Sequence, residues 1–275
     1  MKRRSVILKG LVWGAAGITL LTVGFILVYI LIKGIPHITP KLFAWEYTSE
    51  NLSLMPALVN TLLMTVLSLC VAVPVGIGAA IYLTEYASKR KGLVGIIGIT
   101  AETLAGIPSI VYGLFGSLFF VKFLGLGLSL LSGALTLSVM ILPLIMRTAE
   151  EALRAVPAGY REGSFGLGAG RLRTVFCVML PSAMPGIASG VILGIGRIIG
   201  ESAALLFTAG SVAHLAANAG DAGRTLAVHM YVLSGEGLHV GQAYATAVVL
   251  LIVAIAINAL SSAVTKTWGG DRLHG

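Results

Sequence analysis

Residues 161–181 read REGSFGLGAGRLRTVFCVMLP. This is the plainest polar interruption in the C-terminal half of a 275-residue chain. Arg161, Glu162, Arg171 and Arg173 share it with Gly163, Gly166, Gly168 and Gly170, and Leu180-Pro181 closes it. The hydrophobic runs on either side are too long for a soluble core. About 20 apolar residues cross the hydrocarbon of a bilayer, so the stretch reads as a loop between two membrane spans. A loop marked so clearly offers a grip to something outside the bilayer.

Composition points the same way. The chain is 57% hydrophobic and 11% charged, with a mean hydropathy of +0.95, where soluble domains carry about 25% charged residues. Its 35 glycines fit membrane helices, which approach one another closely through small residues. A net charge of +8 would suggest nucleic acid in a soluble protein. In a membrane protein it reflects basic residues gathered in cytoplasmic loops, with lipid as the neighbour and no nucleic acid. Cys70 lies in an apolar run and Cys177 in the polar loop, so neither a disulfide nor a metal site is expected.

Working outward from the loop, six spans are expected, at about 11–32, 56–84, 93–121, 127–146, 184–208 and 241–264. The first follows MKRRSVILKG. It is too long for the core of a signal peptide and no small-residue cleavage site follows, so it reads as a retained helix. With the N-terminus in the cytoplasm, 14 of the 19 basic residues fall in inside segments and four outside, Arg197 being within a span. That bias places both termini inside. The fold class is an all-α polytopic membrane protein of six transmembrane helices, one transmembrane domain over 1–275.

Local signals add detail. Pro74 with Gly76 and Gly78 marks a kink in the second span, and Pro108 bends the third. Glu102 needs water or a polar partner at the membrane edge, and Gly113 and Gly116 suit close contacts. Thr148 to Glu151 forms a Thr-x-x-Glu capping box that would open a cytoplasmic helix, ended by Pro157 and Gly159. A second short helix is expected from Tyr160, stopped by Gly166, Gly168 and Gly170. Outside, TLAVHMYVL (225–233) reads as a short helix, and His214, His229 and His239 as surface residues. In the fifth span Gly186, Gly190 and Gly194 recur every four residues. Arg197 and Glu201, four apart, would share one helical face. A charge at the bilayer centre costs about 2.5–3.5 kcal/mol, so the pair either stabilises the bundle permanently or lines a path.

No phosphate-cradling Gly-x-x-x-x-Gly-Lys-Ser/Thr, no His-Glu-x-x-His and no Gly-x-Ser-x-Gly occurs. Gly194, Gly196 and Gly200 lie within a span and form no dinucleotide fingerprint. An enzyme reading therefore has no motif behind it, and no cofactor is called for.

The polar loop resembles the signature of permease subunits of ATP-binding-cassette importers: Glu-Ala-Ala, three residues, Gly, nine residues, Ile-x-Leu-Pro. The matching positions are Glu162, Gly163 and Ser164, then Gly168, then Val178, Leu180 and Pro181. Gly163 and Ser164 replace the two alanines, which weakens an ideal helix by about 1 kcal/mol at the glycine. LAGIPSIVYGLFG (104–116) and GRIIGESAALLFTAG (196–210) resemble phosphate-specific importer permeases, nearer the PstA type than the PstC type. The resemblance implies a type I, MetI-like importer fold in a bacterial plasma membrane. It implies a PstC-like permease partner, two PstB-like ATPase subunits that hydrolyse ATP, and a phosphate-binding protein that delivers substrate. It makes Glu162, Gly163, Ser164, Gly168, Val178, Leu180 and Pro181 the coupling residues. Arg197 would then line the path for phosphate, with Glu201 holding Arg197 when the path is empty. A permease for another oxyanion such as molybdate or sulfate, an ion-coupled secondary transporter, and a membrane scaffold remain as alternatives.

Overall fold

The structure is a computed structural model that describes the backbone of residues 2–87 and 91–270 and the side chains of 9–87, 92 and 94–263. The side chains of Lys2, Arg3, Arg4, Lys89, Arg90, Lys91, Lys266 and Arg272, counted above among the basic residues of the inside segments, lie outside the described residues. Among the described residues every regular element is helical. Among the described residues five helices are long and apolar enough to cross a membrane, and a sharply bent pair brings the number to six when it is counted as one span.

Helix α1 (Lys2–Gly34) buries none of its most apolar window. A helix apolar all round and unburied suits a lipid environment. It joins the bundle near its end, where the Tyr29 ring meets Tyr244 edge-on at 5.9 Å. Helix α2 (Met55–Ile81) begins at Pro56, whose missing N–H costs nothing in a first turn, and runs through Pro74 into a wide turn at Tyr82–Tyr86.

The stretch expected to be the third span is broken rather than merely bent. Helices α3 (Lys91–Ala105) and α4 (Ser109–Gly116) meet at 99°. Pro108 disfavours the helical conformation at Ile107, and α3 tightens to a close at Gly106 and Ile107, whose N–H groups reach Thr103 and Leu104. The Tyr112 hydroxyl donates to the Leu104 carbonyl at 2.8 Å and ties the two arms together.

Helix α5 (Leu130–Ala155) is the buried centre of the bundle. Ser129 caps it, accepting from the Ser132 N–H at 3.1 Å. Leu137, Met140, Ile141 and Ile145 are fully buried there, with Met64 of α2 in the same cluster. No new helix opens at Thr148. The hydroxyl donates to the Leu144 carbonyl at 2.9 Å, within a continuous helix, so it is not free to cap. Pro157 then separates α5 from α6 (Ala158–Gly166), and Gly168 turns the chain at φ +81°.

The next crossing begins earlier than Pro181. Helix α7 (Arg171–Thr174), a wide turn over Val175–Met179 and α8 (Leu180–Ile199) form one continuous 29-residue rod. The wide turn absorbs Pro181, whose N–H is missing and whose ring would crowd a regular α-turn. Gly186 and Gly190 let α8 press on α5: a Cβ at 186 would lie 2.6 Å from that of Ala152, and one at 190 would collide with Thr148. Gly194 makes only ordinary contacts. The rod stops at Ile199, and a separate helix α9 (Ala203–Thr208) follows. Helix α10 (Leu226–Glu236) is the short helix expected from TLAVHMYVL, and α11 (Val240–Gly270) completes the set.

Candidate functional site

The expected site residues fall in two places, one in the loop after α5 and one where α3–α4 and α8–α9 are both broken. In the loop, Glu162, Gly163, Ser164 and Gly168 lie on α6 and its turn, where no α6 residue is buried. The Ser164 and Thr174 hydroxyls are 2.8 Å apart, bracing α6 against α7 across the Gly168 turn. A Cβ at Gly163 would meet nothing within 4 Å, so the chain itself does not demand a small residue there. Tyr160, Phe165, Leu167, Leu172 and Phe176 are all exposed on this hairpin, Leu167 at 91%. Val178, Leu180 and Pro181 stand apart from it, half-buried on the rod that leads to α8.

The hairpin is fastened to the end of α2 at two points. Arg161 of α6 makes an ion pair with Glu85, whose side chain is only 4% exposed against 34% for Arg161. The Arg171 guanidinium stacks over the Tyr86 ring, 5.4 Å from its centre. A carboxylate so deeply withdrawn from water needs its partner. Sequence reasoning passed over Glu85; the available signal was a lone acid at the basic end of an apolar span.

At the paired breaks, Gly113 of α4 packs on Ala204 of α9, where an added Cβ would lie 2.7 Å from the Ala204 Cα. Gly116 sits against Thr136 and Thr208 in the same way. The stretches 104–116 and 196–210 are thus in contact. Arg197 is half-buried near the end of α8, close enough for its charge to be felt at the Tyr112 phenol. It has no ion pair with any described residue. The expected Arg197–Glu201 face does not form, because α8 ends between the two. Instead Glu201, 8% exposed, turns its carboxylate to the start of α9 and accepts from the Ala204 N–H at 3.0 Å. An acid at a helix start satisfies otherwise unbonded N–H groups. Glu102, by contrast, finds a polar partner as expected: Arg147 at 3.4 Å.

The end of the bundle around the start of α2 carries a feature that sequence reasoning misjudged. His229 is fully buried rather than on the surface. Burial, and then the charge of Arg224, hold its pKa down at about 3, while the Leu52 backbone pulls weakly the other way. Arg224 is itself 4% exposed and lies 4.7 Å over the Tyr47 ring. Asn60 of α2 fastens the segment between α9 and α10, bonding to the backbones of His214, Ala216 and Arg224.

The family described as binding-protein-dependent transport system inner membrane component matches residues 72–267. The chain belongs to that family, as a multi-pass inner-membrane protein. It is 38% identical over 184 residues to a probable ABC transporter permease protein, YqgI, of Bacillus subtilis, covering 66% of this chain and 62% of that protein. It is 40% identical over 154 residues to the phosphate transport system permease protein PstA 1 of Mycobacterium tuberculosis, covering 56% of this chain and 50% of that protein. The chain therefore matches less than two thirds of either relative. Among solved structures, an inward-facing MetNI methionine ABC transporter chain superposes with a TM-score of 0.62 at 21% identity, over 78% of this chain and 94% of that one. The fold is that of a type I importer permease.

Proposed function

We propose that this chain, as a member of that family, is the transmembrane permease subunit of an ATP-driven importer of inorganic phosphate, acting as a single permease domain without catalysis of its own. The observation that carries the reading is Arg197: a guanidinium at the junction of two broken crossings, with no carboxylate among the described residues to neutralise it. Intramembrane charges mark substrate paths, and arginine offers phosphate a fixed fork of donors. Broken helices near the centre of a bundle are a recurrent setting for transported ions. Phosphate sheds its water there against Arg197. Glu201 sets the position of α9 beside it and does not pair with Arg197.

In this reading a PstC-like permease completes the path, a phosphate-binding protein delivers substrate outside, and two PstB-like ATPases grip the α6–α7 hairpin inside, where both chain termini lie. The exposed Tyr160, Leu167 and Phe176 seat in the ATPase, with Glu162, Gly163, Ser164 and Gly168 at the contact. Alternating access then opens the path inward. The names of the phosphate-transport relatives support the substrate, and the breaks at 106–108 and 200–202 support the path.

The test is ATP-dependent uptake of labelled phosphate by the reconstituted complex. Arg197→Ala should abolish uptake while leaving assembly with the partner permease intact, and Arg197→Lys should retain a small part of it. Full uptake by Arg197→Ala would remove the path. Competition by molybdate or sulfate as strong as by phosphate would reassign the substrate to another oxyanion.

A further inference from the structure

Beside the Glu85–Arg161 pair lies a cavity of about 590 Å³. Its walls are the end of α2 (Leu83, Thr84), the start of α3 (Val94, Gly95), the end of α5 and the start of α6. Three of these four walls are ends of membrane-crossing helices, so the cavity opens at the depth of lipid headgroups. Its lining is divided. Leu83, Val94 and Val156 are apolar, while Arg154 and Arg161 bring two guanidinium groups to the same space.

Both arginines hold a carboxylate on their inner side. Arg154 pairs with Glu150 at 2.6 Å and Arg161 with Glu85, and both acids have side chains under 10% exposed. Their outer sides remain: the Arg154 side chain is 57% exposed and that of Arg161 34%. Nε of Arg161 is buried without a hydrogen-bond partner. In the sequence, Lys89, Arg90 and Lys91 separate the two walls formed by α2 and α3. Among the described residues, two guanidinium groups line this cavity, each paired behind with a buried acid and open in front. The outer donors of the two arginines suit an anionic group, and Leu83, Val94 and Val156 suit an apolar tail.

We infer that this cavity is a binding site for an anionic phospholipid, its phosphate held by Arg154 and Arg161 and its acyl chains leaving along Leu83 and Val94. The shared chemistry is a phosphate oxyanion, for which inorganic phosphate is the rival source. The apolar lining and the headgroup depth favour the lipid, since basic pockets between crossing helices at the membrane edge take anionic headgroups. The site is separate from Arg197, so its failure leaves the transport reading untouched.

The test uses the full chain in nanodiscs of phosphatidylcholine with a minor fraction of phosphatidylglycerol, and native mass spectrometry to count retained lipid. Wild type should retain phosphatidylglycerol about thirtyfold over its bulk share, from about 1 kcal/mol of surface attraction for each of the two arginines. Ala158→Trp and Gly95→Phe fill the cavity from opposite walls. The space beside Gly95 is open, with nothing within 4 Å of an added Cβ, so that variant should fold. Each should bring retention down to the bulk share, and Arg154→Gln combined with Glu150→Gln should do the same without leaving a buried charge. Retention unchanged by either filling variant would overturn the assignment. So would displacement of the lipid by millimolar inorganic phosphate, which would make this a free-anion site, or enrichment seen only after an ATPase subunit is added.

Discussion

Removing either member of the Glu85–Arg161 pair should disturb coupling equally but stability unequally. The asymmetry comes from exposure. Arg161→Gln strands the Glu85 carboxylate, 4% exposed, without a counter-charge. Breaking a buried pair from one side costs about 3–5 kcal/mol. Because the lost partner was itself one-third in water, the low end, about 3 kcal/mol, is expected. Glu85→Gln leaves instead a guanidinium that can turn toward water, at about 1 kcal/mol. The double variant Glu85→Gln/Arg161→Gln puts two amides in contact and should recover most of the loss. Thermal unfolding of the purified chain in detergent should therefore rank wild type, Glu85→Gln, double and Arg161→Gln, with Arg161→Gln clearly last. The pair also joins the α6 hairpin to α2, so both single variants should transport less phosphate per ATP hydrolysed in proteoliposomes, with ATPase binding retained. The reasoning fails if Glu85→Gln destabilises as much as Arg161→Gln. The link to transport fails if both variants keep the wild-type ratio of phosphate to ATP.

Other expectations follow from single contacts. Glu201→Ala removes the acceptor for the Ala204 N–H and should lower stability by about 0.5–2 kcal/mol, measurable as a fall in Tm that Arg197→Ala does not share. Gly168→Ala forces a side chain into the left-handed turn at φ +81°; about 1–2 kcal/mol of strain should appear as weaker copurification with the ATPase, the rest of the fold keeping its helicity by circular dichroism. Gly190→Ala drives a methyl into Thr148 of α5, an overpacking cost of about 1–3 kcal/mol that thermal melts would register; an unchanged Tm would mean that α5 and α8 are not in tight contact. His229 stays neutral in the fold down to a pKa of about 3, while the unfolded chain takes up a proton near pH 6.5. The unfolded state thus binds more protons between those values. Stability should fall by about 1.4 kcal/mol per pH unit as pH drops through that window, and His229→Phe should flatten that slope.

Composition and hydropathy were enough to read the helical membrane class, because lipid leaves a spanning segment no alternative but to satisfy its own backbone. The spacing from Glu162 to Pro181 was enough to mark the hairpin, since Gly168 and the polar residues around it are local signals, and the turn forms where they say. Local signals also misled. Thr148 looks like a cap and Pro181 like a helix start, but α5 and the rod from Arg171 run straight past them, held by packing along their whole length. Arg197 and Glu201 look like neighbours at a spacing of four, a rule that holds only while the helix continues. Whether it stops at Gly200 depended on α4 and α9 meeting at Gly113 and Ala204, a contact about ninety residues apart in sequence. Glu85, His229 and Arg224 were misjudged or overlooked for the same reason: burial belongs to the assembled bundle. Covalent order determined which segments enter the membrane; only the tertiary structure decided which charges were left to face one another there, because that depends on where helices break and what packs against the break.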